Sequence, residues 1–428
     1  MNTLSPILLS AVQPVGRSVT LAEVATIVEQ TCPIANYRGK RVLLIVPDGS
    51  RSAPVGDLFK ALHRHLGEVT QAFDVLVALG THPPMSEAEI CKRLELKLGD
   101  RQSTYRSVGL FNHEWQNPAA LVTIGTIGAA EIAQLSNGLF SQDVEVSVNK
   151  RLFDYDQVIL IGPVFPHEVV GFSGGNKYLF PGVAGEGILN FFHWLGAVVT
   201  NPEIIGHKWT PVRRVVDKAG ALVKIPKLCF CLVVAPDQSL AGLYAGTPEA
   251  AWDAASEQSR HLHITYKERP FHTILSCAPR MYHDLWTGGK CMYKLEPVLA
   301  EGGELIIYAP HIKEVSVTHG AHLLEIGYHC RDYFLKQWDP FKHYPWGVLA
   351  HSTHVRGLGT FENGVEKCRA RVTLATGIPP EVCQRINLGY RDPHTIRKDD
   401  YADREHEGVL LVPKAGEMLF RLKGEESV

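Results

Sequence analysis

The densest group of chemically capable residues in this chain is the stretch from His167 to His193, which reads HEVVGFSGGNKYLFPGVAGEGILNFFH. Imidazoles exchange protons and bind metals near neutral pH, and the lysine between these two histidines adds an amine that can act as a nucleophile. The glycines of GFSGGNK, residues 171–177, let the backbone approach a flat or anionic ligand, and successive amides can hold a phosphate. The segment matches neither GxxxxGK followed by Ser or Thr nor GxGxxG. It therefore predicts a ligand site that is not one of the common nucleotide loops.

Further polar groups stand directly after short apolar runs. The groups that follow RVLLIVP, DVLVALG and QVILIGP are, in order, Asp48 with Arg51, His82 and His167. In open α/β sheets, ligands bind beyond the carboxyl ends of the strands. We therefore expect an acid, a guanidinium and two imidazoles to converge on one edge of a sheet.

The elements that must position these groups are strands buried on both faces. Seven runs rich in Val, Ile and Leu end in loops of Pro, Gly, Asp or His: RVLLIVPDGSR, DVLVALGTHPP, QVILIGPVFPH, LCFCLVVAPD, FHTILSCAPR, ELIIYAPH and VLLVPKAGE. They alternate with polar stretches of helical length, such as APVGDLFKALHRHLGEV and SEAEICKRLEL. This pattern predicts an α/β protein with mainly parallel, helix-covered sheets.

The length of 428 residues favours two domains of ordinary size. A boundary is expected in the charged segment HITYKERP, because FHTILSCAPR then begins a new series of strands. We predict an N-terminal cofactor-binding α/β domain over residues 1–264 and a C-terminal substrate-side α/β domain over residues 265–428. The active site is expected in the cleft between them.

Composition points to a small-molecule ligand. The chain has 45% hydrophobic and 21% charged residues and a formal net charge of −2, so no global field favours nucleic acid or an anionic membrane. No apolar run approaches the roughly 20 residues that span a bilayer, and the N-terminus lacks the features of a signal peptide, so a cytoplasmic location is expected. The nine cysteines are scattered, and the spacing of Cys229 and Cys231 suits neither a CxxC redox motif nor a zinc site. Buried, reduced thiols are expected.

Several motifs together resemble the nickel-pincer lactate racemase family. They are H-x3-GFSGG-x-K-x3-PG followed by a histidine, Asp48-Gly-Ser-Arg51, Gly80-Thr-His82, Asp284-Leu-Trp286-Thr-Gly-Gly-Lys290, and Trp346 in YPWGVLA. The likeness spans most of the chain. It implies a 2-hydroxyacid racemase or epimerase that uses a nickel-pincer nucleotide, in which a pyridinium mononucleotide holds nickel through two sulfurs and a carbon.

The resemblance implies these cofactor-binding residues. His193 is similar to the protein ligand of the nickel, and Lys177 matches a lysine that some members join covalently to the cofactor. Asp48 would bind a ribose hydroxyl or orient Arg51. The candidates for the remaining cofactor contacts are Ser173, Gly174, Gly175 and Trp346.

The implied reaction is a hydride transfer out and back. Removing the C2 proton of a 2-hydroxyacid is difficult because the neighbouring carboxylate opposes a carbanion, whereas hydride removal gives a neutral carbonyl in a transient 2-oxoacid. His82 and His167 match the paired acid/base histidines, one for each face of the substrate. Arg51 could polarise the oxygen or hold the carboxylate, and Lys290 could pair with the same carboxylate.

The departures from the family pattern concern the substrate. Trp286-Thr287 stands where a Tyr-Gln pair would be expected, and His82 is followed by Pro83-Pro84 rather than by a basic residue. Lactate is the default substrate, with malate, an aryl-lactate or an aldonic acid such as gluconate as alternatives. The expected partners are this small molecule and the proteins that synthesise the cofactor, without nucleic acid or membrane.

Two other functions fit the sequence less well. An NAD-dependent dehydrogenase of the Rossmann type is disfavoured because no GxGxxG follows a predicted strand. A non-catalytic carrier of the nickel cofactor would have no use for His82, Arg51 and Lys290 together. His113, His351 and His354 could suggest a metal site, but neither their spacing nor their position in the family pattern supports one.

Overall fold

The chain divides into two compact units. The computed structural model describes residues 7–50 and 53–424. Unit 1 consists of the described residues within Met1–Phe165, Phe172–Leu189 and Arg213–Leu262, and unit 2 of those within Pro166–Gly171, Asn190–Val212 and His263–Val428. The boundary expected near residue 264 is close to residue 263, where the last segment of unit 2 begins. Two earlier segments, 166–171 and 190–212, also belong to unit 2. His167 and His193 are therefore in unit 2, although the sequence had assigned them to the N-terminal domain.

Unit 1 is built on a seven-stranded sheet. From one edge to the other its strands are Leu8–Val12, Leu240–Gly246, Lys227–Val234, Gln157–Pro163, Arg41–Pro47, Ala72–Ala78 and Leu110–Asn112. The first two pairings are antiparallel and the other four are parallel. A separate antiparallel pair joins Leu121–Ile127 to Val144–Asn149. The central strands are buried along almost their whole length, which explains why they appear in the sequence as continuous apolar runs.

The helices of unit 1 pack amphipathic faces against this sheet. In Val55–Leu66 the buried positions 55, 58, 59, 62 and 66 follow the helical period, and they join the strand residues in one apolar core. The α-helices within this unit are Leu21–Thr31, Val55–Leu66, Glu87–Arg93, Leu98–Gln102 and Ala129–Leu135, and Pro211–Leu222 and Pro248–His263 lie almost wholly within it. Its 3-10 helices are Ile34–Asn36, Pro118–Ala120, Lys150–Asp154 and Gly175–Tyr178.

Unit 2 contains a five-stranded sheet in which every pairing is parallel. The strand order is Gly389–Tyr390, Arg371–Thr376, Leu299–Ala309, Phe271–Cys277 and Val409–Val412. Ile264–Lys267 pairs in parallel with Leu419–Leu422. Gly359–Glu362 and Val365–Cys368 form a hairpin whose turn residues, Asn363 and Gly364, both have positive φ. An Asn-Gly turn of this kind matches the twist of the two strands.

Short helices cover much of unit 2. Its α-helices are Asn201–Ile204, Leu285–Gly288, Lys290–Tyr293, Gly320–Ile326, Arg331–Leu335, Trp338–Phe341, Trp346–Arg356 and Pro380–Arg385. Its 3-10 helices are Glu296–Val298, Pro393–Thr395, Lys398–Tyr401 and Glu405–Glu407. Helix Glu186–Val199 begins in unit 1 and continues into unit 2, and the two-residue strands Pro166–His167 and Gly171–Phe172 flank the start of the glycine-rich segment.

The α/β prediction with mainly parallel sheets is confirmed. All seven apolar runs contain strands, and both quoted helical stretches contain helices. The nine cysteines are free thiols; seven are buried, whereas Cys91 and Cys368 are half-buried. Among the described residues, no helix combines the length and apolarity that a membrane crossing requires. The location of the active site in a cleft stays a prediction.

Candidate functional site

Two predicted site residues meet at the carboxyl ends of neighbouring strands in unit 1. Strands Arg41–Pro47 and Ala72–Ala78 are parallel and in register, with Pro47 opposite Ala78. Asp48 follows the first strand and His82 the second, and His82 Nδ1 is hydrogen-bonded to Asp48 Oδ2. The convergence that we expected from the strand ends is therefore present for this pair. Arg51 lies outside the described residues.

The second carboxylate oxygen of Asp48, Oδ1, accepts hydrogen bonds from the turn that follows Asp48. The Ser50 amide donates to Asp48 Oδ1 over 3.1 Å, and the Ser50 hydroxyl donates to the same oxygen over 2.7 Å. The side chains of Asp48 and His82 are only 15% and 29% exposed. We predicted that Asp48 binds a ribose hydroxyl or orients Arg51; the structure adds a contact with His82 that the sequence did not indicate.

The segment Gly171–Lys177, called the glycine loop from here on, is shaped by packing against the end of strand Gln157–Pro163. The Ser173 hydroxyl donates to the Pro163 carbonyl over 2.9 Å and accepts from the Phe165 amide over 2.9 Å. Gly174 has φ +94°, and a Cβ on it would lie 2.6 Å from Val164 Cγ2. Because both observations exclude a side chain, glycine at this position is required by the fold itself. The Ser173 hydroxyl already makes two hydrogen bonds inside unit 1. Its contact with a cofactor stays a prediction.

A buried arginine that sequence reasoning missed supports the glycine loop. Arg213 is fully buried and donates to the carbonyls of Phe172 and Gly174. Its guanidinium carbon lies 4.0 Å from the centroid of the Trp252 ring. A planar guanidinium can stack on an aromatic ring while its edge donates to two carbonyls, which an ammonium cannot do. In the sequence, Arg213 is simply one of two adjacent arginines on an amphipathic helix, so no local signal marks it.

Polar groups behind the glycine loop offset the charge of Arg213. Asp217 Oδ1 lies 3.8 Å from Arg213 Nη1. The Asn176 side-chain amide donates to Asp217 over 3.1 Å and to Glu249 over 2.6 Å. Burial raises the pKa of Asp217 to about 6, although Arg213 opposes this rise, and burial lowers the pKa of Arg213. Asn176 therefore links the glycine loop to two acidic side chains within unit 1.

Lys177 closes the glycine loop on the 3-10 helix Gly175–Tyr178. Its amide donates to the Gly174 carbonyl over 3.2 Å, and its carbonyl accepts from the Gly182 amide over 3.1 Å. The side chain is half-buried. The backbone of Lys177 is thus held on both sides, which restricts where the amine can reach.

His113 holds the segment that follows the glycine loop. His113 Nε2 is hydrogen-bonded to the Ala184 carbonyl at 2.9 Å, and the Asn149 side-chain amide lies 3.1 Å from Nδ1. Burial is the main cause that lowers the pKa of His113 to about 4. A buried imidazole with both nitrogens engaged by unit 1 indicates a structural role for His113.

In unit 2, His167 lies in the two-residue strand Pro166–His167 and is 5% exposed. The Val169 amide donates to His167 Nδ1 over 3.1 Å, and Glu168 Oε2 lies 3.3 Å from the same nitrogen. Lys294, itself buried, donates to the carbonyl of Pro166. The backbone on either side of the imidazole is therefore anchored within unit 2.

His193 lies against the start of the helix that Trp346 begins in unit 2. His193 is on helix Glu186–Val199, and a Cβ on Gly347 would lie 3.9 Å from His193 Cγ. The Gly347 amide donates to Asn190 Oδ1 over 2.9 Å, which ties the first turn of helix Trp346–Arg356 to the helix of His193. The predicted nickel ligand and the predicted cofactor-binding tryptophan thus lie beside the same helix start.

The predicted substrate-side residues lie on two consecutive short helices. Asp284 caps the first by accepting from the Thr287 amide over 3.0 Å and from its hydroxyl over 2.8 Å. Lys290 begins the second, is 7% exposed, and has its Nζ 4.9 Å from the centroid of the Tyr282 ring. Trp286 is half-buried. Trp286, Thr287 and Lys290 are therefore held on rigid backbone.

Two histidines outside the predicted site, His319 and His351, pack against Trp286, and His354 is on the same helix as His351. We call the four residues Trp286, His319, His351 and His354 the ring cluster. The Trp286 ring lies 4.5 Å from that of His319 and 4.2 Å from that of His351, centroid to centroid. Helix Trp346–Arg356 carries His351 and His354, and their three-residue spacing puts both on one helical face. That spacing was visible in the sequence, whereas nothing there indicated His319.

Burial favours the neutral form of two imidazoles of the ring cluster, His351 and His354. Burial, with His354, His319 and His193 nearby, lowers the pKa of His351 well below its usual value. Burial also lowers the pKa of His354 to about 4. Neither ring nitrogen of His354 has a hydrogen-bond partner among the described residues. Among residues 7–50 and 53–424, which the structure describes, no group of three or more His, Cys, Asp or Glu side chains is arranged to hold a metal ion.

Comparisons with known proteins found a family model and two similar solved structures. Residues 29–204 match the family model of the lactate racemase N-terminal domain. A crystal structure of a protein from Thermotoga maritima shares 33% sequence identity with a TM-score of 0.87, over 96% of this chain and 100% of that chain. The structure of the lactate racemase apoprotein from Thermoanaerobacterium thermosaccharolyticum shares 16% identity with a TM-score of 0.67, over 95% of this chain and 90% of that chain, and thus shows similarity of fold. No curated protein sequence matches.

Proposed function

Because the chain belongs to the lactate racemase family, we propose that it inverts C2 of a 2-hydroxyacid with a bound nickel-pincer nucleotide. Family membership supports a racemase-type isomerase. The observation that supports the finer proposal best is the Asp48–His82 pair at the ends of two parallel strands. A carboxylate at Nδ1 prepares an imidazole to accept a proton at Nε2, which is the first requirement for oxidising an alcohol by hydride removal.

The donor groups of the described residues fit this cofactor. Imidazole is a suitable ligand for nickel, and His193 supplies one from a helix packed against the start of another. Lys177 provides an amine at the end of a loop whose backbone is held by Arg213. His193 would bind the nickel, and Lys177, Gly174, Gly175 and Trp346 would hold the nucleotide. When bound, the cofactor supplies the acceptor for the hydride that leaves C2.

The remaining roles belong to the side chains. His82 would accept the hydroxyl proton of one enantiomer at Nε2, and His167 would serve the other enantiomer in the same way. Lys290, with a buried ammonium, and Arg51 would hold the substrate carboxylate. The two carboxylate contacts would keep the substrate in place while the configuration at C2 is inverted.

The substrate itself is proposed on narrower grounds. Trp286, packed between two imidazoles, and Thr287, hydrogen-bonded to Asp284, would line the pocket where a different pair was expected. Lactate is the first candidate, with malate, an aryl-lactate and an aldonic acid as alternatives. Inversion at C2, measured by chiral chromatography over a panel of these acids, distinguishes them.

The proposal is tested with protein made in a host that synthesises the cofactor. One nickel per chain, together with a cofactor-sized mass in intact mass spectrometry, is the expected result. Loss of nickel in His193→Ala, with retention of nickel but loss of inversion in His82→Ala and His167→Ala, would support the assigned roles. Wild-type protein from such a host without nickel would overturn the proposal, and bound nickel without inversion of any acid would favour a cofactor carrier.

A further inference from the structure

The hydrogen bonds around His82 define its tautomer. Ser50 donates twice to Asp48 Oδ1, through its amide and its hydroxyl, and the other carboxylate oxygen is bonded to His82 Nδ1. An ionised carboxylate only accepts hydrogen bonds, so Nδ1 must carry the proton. The neutral imidazole of His82 therefore has its lone pair at Nε2.

The hydrogen bonds around His167 define the other tautomer. The Val169 amide donates to His167 Nδ1 over 3.1 Å, and a backbone N–H can only donate. Nδ1 of the neutral imidazole must therefore be the acceptor, and the ring proton is on Nε2. Glu168 Oε2 lies 3.3 Å from the same Nδ1 and can accept a hydrogen bond from that nitrogen once the nitrogen gains a proton.

We propose that His82 and His167 rest in opposite tautomers, so that the resting enzyme presents a lone pair at Nε2 of His82 and an N–H group at Nε2 of His167. This inference rests on the proposed function, in which both imidazoles act on the substrate oxygen. It makes Asp48 a positioning residue for His82, and it makes Glu168 the residue that stabilises His167 when that ring holds two protons.

The consequence is an unequal first turnover of the two enantiomers. For the enantiomer served by His82, Nε2 would accept the hydroxyl proton, and the bound cofactor would supply the acceptor for the C2 hydride, so that a C=O double bond remains. His82 then holds two protons, with the one on Nδ1 still bonded to Asp48. For the other enantiomer, His167 must first release its Nε2 proton and take one on Nδ1 beside Glu168, so oxidation is delayed.

Steady-state rates would hide this difference. Two enantiomers have equal free energies, so kcat/KM must be the same in both directions whatever the tautomers are. The difference appears only when the enzyme exceeds the substrate and the 2-oxoacid formed in the first turnover is measured for each enantiomer separately.

The tautomers can be measured directly on the full chain without cofactor. Long-range proton–nitrogen NMR correlations of protein labelled with ¹⁵N in histidine distinguish an Nδ1–H ring from an Nε2–H ring. His82→Gln and His167→Gln assign the two signals. We expect Nδ1–H for His82 and Nε2–H for His167. If both rings show the same tautomer, the inference is wrong whether or not the protein inverts hydroxyacids, so its failure is distinct from failure of the proposed function.

Asp48→Asn is the variant designed to reverse the first tautomer. The two Ser50 donors will retain the amide oxygen in the Oδ1 position, which leaves the amide nitrogen facing His82 Nδ1. That nitrogen donates, so His82 should change to the Nε2–H form. In the holoenzyme we expect nickel to be retained, and 2-oxoacid formation from the favoured enantiomer to fall by about 10²-fold or more in the first turnover.

Glu366→Gln is the matched control. It removes a carboxylate from another imidazole, His329, whose Nδ1 lies 2.8 Å from Glu366 Oε2. This pair has no proposed role in catalysis, so the control should change neither the tautomer of His82 nor the preference between enantiomers. An unchanged His82 signal in Asp48→Asn, or equal first turnovers of the two enantiomers in the wild type, would overturn the inference.

Discussion

The glycine loop and the ring cluster achieve rigidity by opposite means. In the glycine loop, the backbone is held by hydrogen bonds from Ser173 and from the charged Arg213, and Gly174 adopts a conformation that other residues avoid. In the ring cluster, side chains are held by ring contacts, and the two nitrogens of His354 have no hydrogen-bond partner among the described residues. A buried carbonyl that loses its donor is left unsatisfied, whereas replacing His354 removes no hydrogen bond to a described residue. The ring cluster should therefore tolerate substitution far better than the glycine loop.

Arg213→Met gives the largest expected effect. Removing the guanidinium takes the Arg213 donor away from the carbonyls of Phe172 and Gly174 and the nearby cation away from Asp217, so we expect the free energy of unfolding to fall by about 3–5 kcal/mol. Urea denaturation measures this change. Arg214→Met is the control, because Arg214 is the exposed neighbour and donates a hydrogen bond to the Asn137 side chain. Equal effects of the two substitutions would contradict the support that we assign to Arg213.

Gly174→Ala tests the backbone of the glycine loop without changing any charge. Its φ of +94° and the 2.6 Å approach to Val164 should together cost about 3 kcal/mol or more. Gly187→Ala is the matched control, since nothing lies within 4 Å of its added Cβ and its place in a helix favours alanine. A Gly174→Ala protein as stable as Gly187→Ala would show that the loop conformation is replaceable.

Acid should destabilise both regions through buried neutral imidazoles. His113, beside the glycine loop, and His354, in the ring cluster, have a folded pKa of about 4 against an ordinary value of 6.5. Between these values the unfolded chain binds a proton that the folded chain does not, so stability is present above pH 6.5 and is lost as the pH falls towards 4. Each imidazole should contribute up to about 3 kcal/mol to this loss. Denaturation curves at several pH values measure it, and an unchanged pH dependence in His354→Leu would contradict its share.

The smallest expected effect separates the two imidazoles at pH 7.5. His354→Leu should raise the free energy of unfolding by about 1 kcal/mol, because no hydrogen bond is lost and a polar group leaves the interior. His113→Leu should lower it, because the Ala184 carbonyl and the Asn149 amide lose their partner. If both variants lose stability, His354 is part of a hydrogen-bond network and the comparison between the regions fails.

Much of the fold could be predicted because its signal is local. Continuous runs such as RVLLIVP are buried strands since parallel sheets are covered on both faces, and the helical period of Val55–Leu66 identifies its buried side. The motifs also predicted the family, which the comparisons confirm. The division into units was harder to predict from the sequence. Segments 166–171 and 190–212 belong to unit 2, and no change of composition marks where either segment begins or ends.

The sequence by itself determined the strands, the family and the side chains able to carry out the chemistry, because each depends on residue type and on spacing along the chain. The tertiary structure decided how those side chains are held. Asp48 reaches His82 only because their strands are neighbours, Arg213 reaches the glycine loop from a helix about 40 residues away, and His319 reaches Trp286 from a separate loop. Hydrogen bonds and ring contacts between distant segments follow from packing in three dimensions, to which local sequence patterns are insensitive.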